Sequence, residues 1–406
     1  MKTSQRIIAS LLAVACAAVV QQAAADVLSG YNATLPLANV NAPVSFYGYS
    51  LDHVTTGGTT TTSFMIGDPN AGLSRAGAGP VLNLGSFDIV ISAGPTLAGN
   101  APALAAFNRA AAAWEARFAD PITITLNCDL AALGAGILGS TSTVLLQAGY
   151  TTIRNQLVAD STAEGADDAI VLALPTAAQF TATIPAGTTL SANVTASKSS
   201  LKAAGFGGLD GTFGASDASI TFSTNFGFDF DRSDGVGAGL YDFESVAEHE
   251  IGHALGFISA VDDLNGGATT AQAETLDLFR FRNLAGSRPT NAAQFATFAR
   301  NFVPGADDVM NDTGFLNGRL STGLTNATFP GTDGNQASHW KADDLTGIYV
   351  GIMDPTIAAQ QVSLATENDF RAFDLIGYSI ISAPEPSSLV LLLGGLGLAG
   401  MRRRRG

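Results

Sequence analysis

Cysteine is almost missing from this 406-residue chain: Cys16 and Cys128 are the two it has. Cys16 lies in an apolar leader, so Cys128 stands alone in the mature chain and no intramolecular disulfide can form. Histidine is scarce too, with His53, His249, His253 and His339 making up the whole supply. Charged residues are only 14% of the chain, and positive ones are the rarer, 20 Lys and Arg against 35 Asp and Glu. Without Lys2, Arg6 and the four terminal arginines 14 basic residues remain; without Glu385, 34 acidic ones, a net charge of about −20 for residues 26–383. Such a surface repels phosphate backbones and anionic lipid, which excludes a nucleic-acid-binding role. Apolar runs are also short of the roughly 20 residues that a permanent membrane helix needs. Stability must therefore come from an apolar core, which a chain of this length can build. The abundance of Gly, Ala and Thr points to short turns and tight packing, not to disorder.

Both ends carry expected addresses. Lys2 and Arg6 precede an apolar run from Ile7 to Val20 and then Gln21-Gln22-Ala23-Ala24-Ala25, so residues 1–25 read as a secretory signal removed by signal peptidase. At the other end Pro384-Glu385-Pro386 is followed by an apolar run from Leu389 to Met401 and by Arg402 to Arg405. The arginines hold that end in the cytoplasm and the short run suits a transient inner-membrane anchor. This three-part tail, residues 383–406, resembles the PEP-CTERM sorting signal of Gram-negative bacteria. The resemblance implies cleavage by an exosortase-type enzyme and delivery to the cell surface or extracellular matrix.

Between the ends, residues 26–83 are rich in Gly, Thr and Asn with short β-like pieces such as Val44 to Tyr49. They read as a β-rich module or a propeptide. Residues 84–382 follow an α+β order. Phe87–Ile91 and Ile122–Leu126 alternate as strands, and Ala101 to Phe118 places Leu104, Phe107, Ala111, Trp114 and Phe118 at helical spacing. Tyr150 to Ala159 reads as a helix, Ala169 to Leu174 as a buried strand, and Ala196 to Ala204 as a short helix. Ala218–Ser223 reads as a strand, either internal or an edge able to pair with an extended peptide. The loop Asp229-Phe230-Asp231-Arg232-Ser233-Asp234-Gly235 misses the spacing of an EF-hand; it reads as a solvated turn, with calcium on Asp229, Asp231 and Asp234 as the other reading.

The stretch that organises the chain is Val246-Ala247-Glu248-His249-Glu250-Ile251-Gly252-His253-Ala254-Leu255-Gly256. His-Glu-x-x-His on a helix stacks His249 over His253 at i and i+4, so both imidazoles address one point, as zinc requires. Glu250, one step round the helix, can take a proton from water. Asp242 can cap the first turn and Gly256 can end the helix.

A catalytic zinc takes three protein ligands and leaves one position open. The compact metzincin spacing would put the third histidine at position 259, which is Ser259. Two donors further on compete: His339 in Ala337-Ser338-His339-Trp340, and Glu274, at the distance where thermolysin-like enzymes carry a carboxylate ligand. The helix motif, Ser338-His339-Trp340 and Ile352-Met353-Asp354-Pro355 together resemble leishmanolysin-like metzincin zinc peptidases, where an insertion separates the post-helix glycine from the third histidine. That resemblance implies a metzincin-like fold (a mixed twisted sheet with long helices), His339 as third ligand and Met353 as the Met-turn residue beneath the metal. The 83 positions from Gly256 to His339 match nothing in the family, and the family's many cysteines are absent.

The expected function is zinc-dependent peptide hydrolysis, with Glu250 as general base and then general acid. Two alternatives stand beside it. One is a surface or matrix adhesin with a structural zinc site; the other is a zinc hydrolase of a non-peptide bond. Tyr378, in Ile376-Gly377-Tyr378, reads as core.

Overall fold

A computed structural model describes residues 87–164, 169–310 and 318–381, together with the backbone of Leu35–Pro36, Gly48–Asp52 and Thr62–Phe64. The secretory signal, the basic tail, His53 and most of the region 26–83 lie outside the described residues.

The architecture is mixed α+β. In chain order its main parts are β1 (Gly48–Asp52), β2 (Thr62–Phe64), β3 (Asp88–Ala93), α1 (Ala101–Glu115), β4 (Thr123–Ala131), β5 (Gly139–Gly149), α2 (Tyr150–Ala163), β6 (Asn193–Ser197), α3 (Lys198–Ala203), β7 (Ala218–Ser223), α4 (Phe243–Leu255), α5 (Ala260–Asn265) and α6 (Glu367–Asp374). One seven-stranded sheet runs in the order β2-β1-β5-β7-β4-β3, with β6 paired to the far half of β5. β3, β4 and β7 are parallel, and β5 runs antiparallel against β7, β1 and β6. β7 is therefore internal, held by β5 on one side and β4 on the other, and the edge-strand reading of Ala218–Ser223 is overturned.

α1 and α4 pack together on the sheet. Phe107 of α1, Phe222 of β7 and Phe243 of α4 meet edge to face or tilted, with ring centroids 4.5–6.5 Å apart. Trp114 is core, as its spacing predicted, and its indole N–H donates to the Glu248 carbonyl at 3.1 Å, bolting α1 to α4. Behind them Trp114, Phe118, Phe370, Phe373 and Tyr378 form an aromatic cluster that docks α6. Tyr378 is fully buried and its hydroxyl donates to the Leu255 carbonyl at 2.7 Å, closing the end of α4.

Two local readings change. Ala169–Leu172 is a short helix, not a buried strand; an apolar run this brief has no period of its own and its surroundings decide. The helix expected from Ala196 is present but starts two residues later: β6 runs to Ser197, and Ser197 then caps α3 by accepting the Ser200 N–H at 2.9 Å.

Candidate metal centre

α4 forms for reasons legible in its residues. Asp242 accepts the Ser245 N–H at 3.1 Å as N-cap, and Gly256 ends the helix with φ +122°, a conformation that side chains resist. The loop before it is held by its own carboxylates. Asp229 accepts the N–H groups of Asp231 and Gly237, and Asp231 accepts that of Ser233, so these carboxylates shape the turn. The loop's working residue is Arg232, which the sequence reading passed over. Its guanidinium reaches Asp242 at 3.1 Å, Glu244 at 3.2 Å and Glu248 at 3.0 Å, neutralising the acidic start of α4.

His249, His253 and His339 converge. Their Nε2 atoms stand 3.1, 3.1 and 3.2 Å from one another, and they are the one set of three or more His, Cys, Asp or Glu side chains among the described residues close enough to share an ion. Each Nδ1 faces a backbone carbonyl: Ile352 at 2.8 Å for His249, Phe257 at 2.8 Å for His253 and Gln336 at 3.1 Å for His339. A carbonyl can only accept, so each Nδ1 donates and each Nε2 turns a bare lone pair to the centre. Three lone pairs facing one point repel unless a cation lies between them. Tetrahedral bonds of about 2.05 Å would set the nitrogens about 3.3 Å apart, close to the spacing found. The donor set fits zinc. Burial pushes the His249 imidazole down to about 4, so it stays neutral and ligand-ready across the ordinary pH range.

Glu274 is not part of this cluster. It is buried beside Asp277, Asp263 and Asp262, where burial and then their charges raise its carboxyl well above the usual range, and its backbone N–H donates to Asp277 at 3.0 Å. Asp229, Asp231 and Asp234 likewise do not gather into an ion-sized set.

Glu250 lines the same cleft as the three imidazoles. Burial pushes its carboxyl up to about 7, opposed by the hydroxyl of Thr141 on β5, which donates to Glu250 Oε2 at 2.6 Å. Gly139, also on β5, leaves room for the carboxylate, since a Cβ there would lie 2.5 Å from Glu250 Oε1. Met353 is fully buried against α4 at Gly252. Asp369 of α6 fixes that turn: it accepts the Ile352 N–H at 2.8 Å, the Met353 N–H at 3.3 Å, the Thr366 N–H at 2.7 Å and the Trp340 indole N–H at 2.7 Å. Thr141 and Arg232 belong to no motif, and single polar residues leave no periodic signal to find; Asp369 is the N3 residue of a capping box with Thr366, which marks the start of α6 but not its hold on the Met353 turn. The cleft in front of the imidazoles encloses about 510 Å³ between the segments 135–141, 334–339 and 352–357.

Among known families, residues 382–405 match the PEP-CTERM protein-sorting motif. No curated protein and no solved structure matches the chain. The motif marks a bacterial exported protein, recognised by an exosortase and sorted to the cell envelope or surface. No helix among the described residues is long and apolar enough to cross a membrane.

Proposed function

We propose that this protein is an exported zinc-dependent endopeptidase. The observation that carries the reading is the triangle of Nε2 atoms 3.1–3.2 Å apart with the carboxylate of Glu250 in the same cleft. His249, His253 and His339 would hold the ion, and zinc there would supply Lewis acidity toward a water and a scissile carbonyl. The rest falls to side chains of this chain. Glu250, in the same cleft, takes the proton of the attacking water and returns it to the departing amine. Thr141 holds that carboxylate in one orientation. The cleft has room for several residues of an extended peptide between the start of β5 and the segment after Met353. The order of the helix motif, third histidine and buried Met353 supports a metzincin-like arrangement.

The test uses purified exported chain, assayed for zinc content and for cleavage of casein, gelatin and a mixed peptide library. One zinc per chain is expected, with hydrolysis lost on chelation and reduced on the order of 10²–10⁴-fold in Glu250→Gln. Zinc-loaded wild type that cleaves no peptide overturns the peptidase reading in favour of a structural metal site or a non-peptide substrate.

A further inference from the structure

His339 lies 83 positions beyond Gly256, so chain connectivity does little to keep it beside His253. The structure holds it there with a compact polar joint on the start of α5. Asp262 Oδ1 accepts the Ala337 N–H at 2.6 Å, and Oδ2 accepts the Ser338 N–H at 3.0 Å together with the Ser338 hydroxyl. The same Ser338 oxygen accepts the Ser259 N–H at 2.9 Å. Ser259 is anchored in turn, because its hydroxyl donates to Asp277 Oδ1 at 2.6 Å and the Ala260 N–H donates to Asp277 Oδ2 at 2.8 Å. Ser259, Asp277 and Ser338 are all buried, which shields the Ser259 and Asp277 bonds from bulk water, while Asp262 is half-buried at the edge of the joint.

The joint also touches the second histidine. His253 Nδ1 donates to the carbonyl of Phe257, two residues before Ser259. A short path therefore runs from His253 through Phe257 and Ser259 to Ser338 and His339. Resting on the zinc reading above, we infer that Asp262 and Ser338 are positioning residues for the third metal ligand. They fix the peptide just before His339 onto the turn just after α4, and so replace the connectivity that the long insertion removes. Neither side chain touches the metal position; both act through the placing of the His339 imidazole.

The experiment measures zinc affinity of the full exported chain by competition with a chelating dye, in wild type, Asp262→Asn, Ser338→Ala, Ser338→Thr, His339→Ala and the Asp262→Asn/His339→Ala double variant. Outer-shell partners of metal ligands typically hold 10–100-fold in affinity, so Asp262→Asn and Ser338→Ala are expected to weaken zinc binding by about that factor. Ser338→Thr keeps the hydroxyl and is expected within about twofold of wild type. In the His339→Ala background there is no third imidazole to place, and Asp262→Asn should change the residual affinity by less than about twofold. An equal loss in both backgrounds overturns the inference, because it reports general loosening. Wild-type affinity in Ser338→Ala overturns it as well, and decides the matter if Asp262→Asn does not fold. Failure of the underlying reading looks different: a wild type that binds no zinc, or a His339→Ala variant that binds it as tightly as wild type.

Discussion

Gly252 and Met353 share one space: a β-carbon on Gly252 would fall onto the sulfur of Met353, with Trp114 3.6 Å behind it. The glycine inside His-Glu-x-x-His is thus the seat of the turn beside the three histidines. Met353 is fully buried and has nowhere to retreat. Gly252→Ala is expected to cost about 1–3 kcal/mol through overpacking, despite the better helix propensity of alanine. Met353→Ala should cost about 2–5 kcal/mol by leaving a cavity. The double variant should lose less than the two single losses combined, because each change relieves the other. Denaturant unfolding of all three checks this, and simple additivity would show that the two residues do not press on each other.

How far the sequence reached follows from this geometry. α4 was legible because its signals are local: two histidines at i and i+4, a capping Asp242 and a terminating Gly256. α1 and β4 were legible because their apolar periods are long enough to distinguish 3.6 from 2. His339 stands level with Glu274 on its residues alone and is favoured only through resemblance, since a lone histidine before a tryptophan has no helical or strand period to place it. Between Gly256 and His339 the chain folds into pieces of two to six residues, among them α5 and the strands Arg280–Arg282, Asp308–Met310 and Arg319–Leu320. Segments that short take their form from tertiary partners. Asp369 illustrates the same limit: its pairing with Thr366 is a local capping box, but the donors from Trp340, Ile352 and Met353 come from distant positions and leave no local signal.

Thr141 supplies a prediction about rate. Its hydroxyl meets both the Glu250 carboxylate, at 2.6 Å, and the Glu250 carbonyl, at 3.0 Å. Thr141→Val keeps the shape and removes the donor, leaving the carboxylate without that restraint. Hydrogen bonds to charged groups contribute about 1.5–3 kcal/mol, so turnover is expected to fall at least about tenfold with zinc content unchanged. Thr141→Ser should restore most of it. A fall in zinc content instead of turnover would show that Thr141 supports the helix and not the general base.

Asp369 supplies one about stability. Its carboxylate is fully buried, and burial raises its pKa even against the Thr366, Trp340, Ile352 and Met353 bonds that favour its charged form. Removing it strands several buried donors at once. Asp369→Ala is expected to destabilise the protein by about 3–5 kcal/mol, whereas Trp340→Phe, which removes a single donor and keeps most of the ring volume, should cost about 1–3 kcal/mol. Urea unfolding with chelator present separates this from any effect of bound metal. Equal costs for the two variants would mean that ring packing, not the hydrogen-bonded hub, secures the turn.

Asp120 sets the direction of the pH dependence. It is buried where α1 meets the last described strand residues, accepting the Ser379 N–H and hydroxyl at 3.0 Å each. Burial pushes its carboxyl from 3.8 up to about 7; the Ser379 bonds pull it down and the Glu164 charge pushes it further up. Asp308 is raised to about 7 as well, by burial only partly offset by the Arg280 charge and a hydrogen bond from Asn301. In the unfolded chain both groups lose their protons near pH 4. Between about pH 4 and pH 7 the folded state therefore binds more protons, and stability falls as the pH rises through that window. At about 1.4 kcal/mol per unit, Asp120 alone accounts for at most about 4 kcal/mol. The metal-free protein is accordingly expected to unfold at lower urea at pH 7.5 than at pH 5. Asp120→Asn keeps an acceptor for the Ser379 N–H without the charge, and should flatten the slope. His249, held neutral in the fold, works the other way below about pH 6.5 but is one group against two. Stability that climbs from pH 5 to pH 7.5, with the same slope in Asp120→Asn, would contradict this assignment.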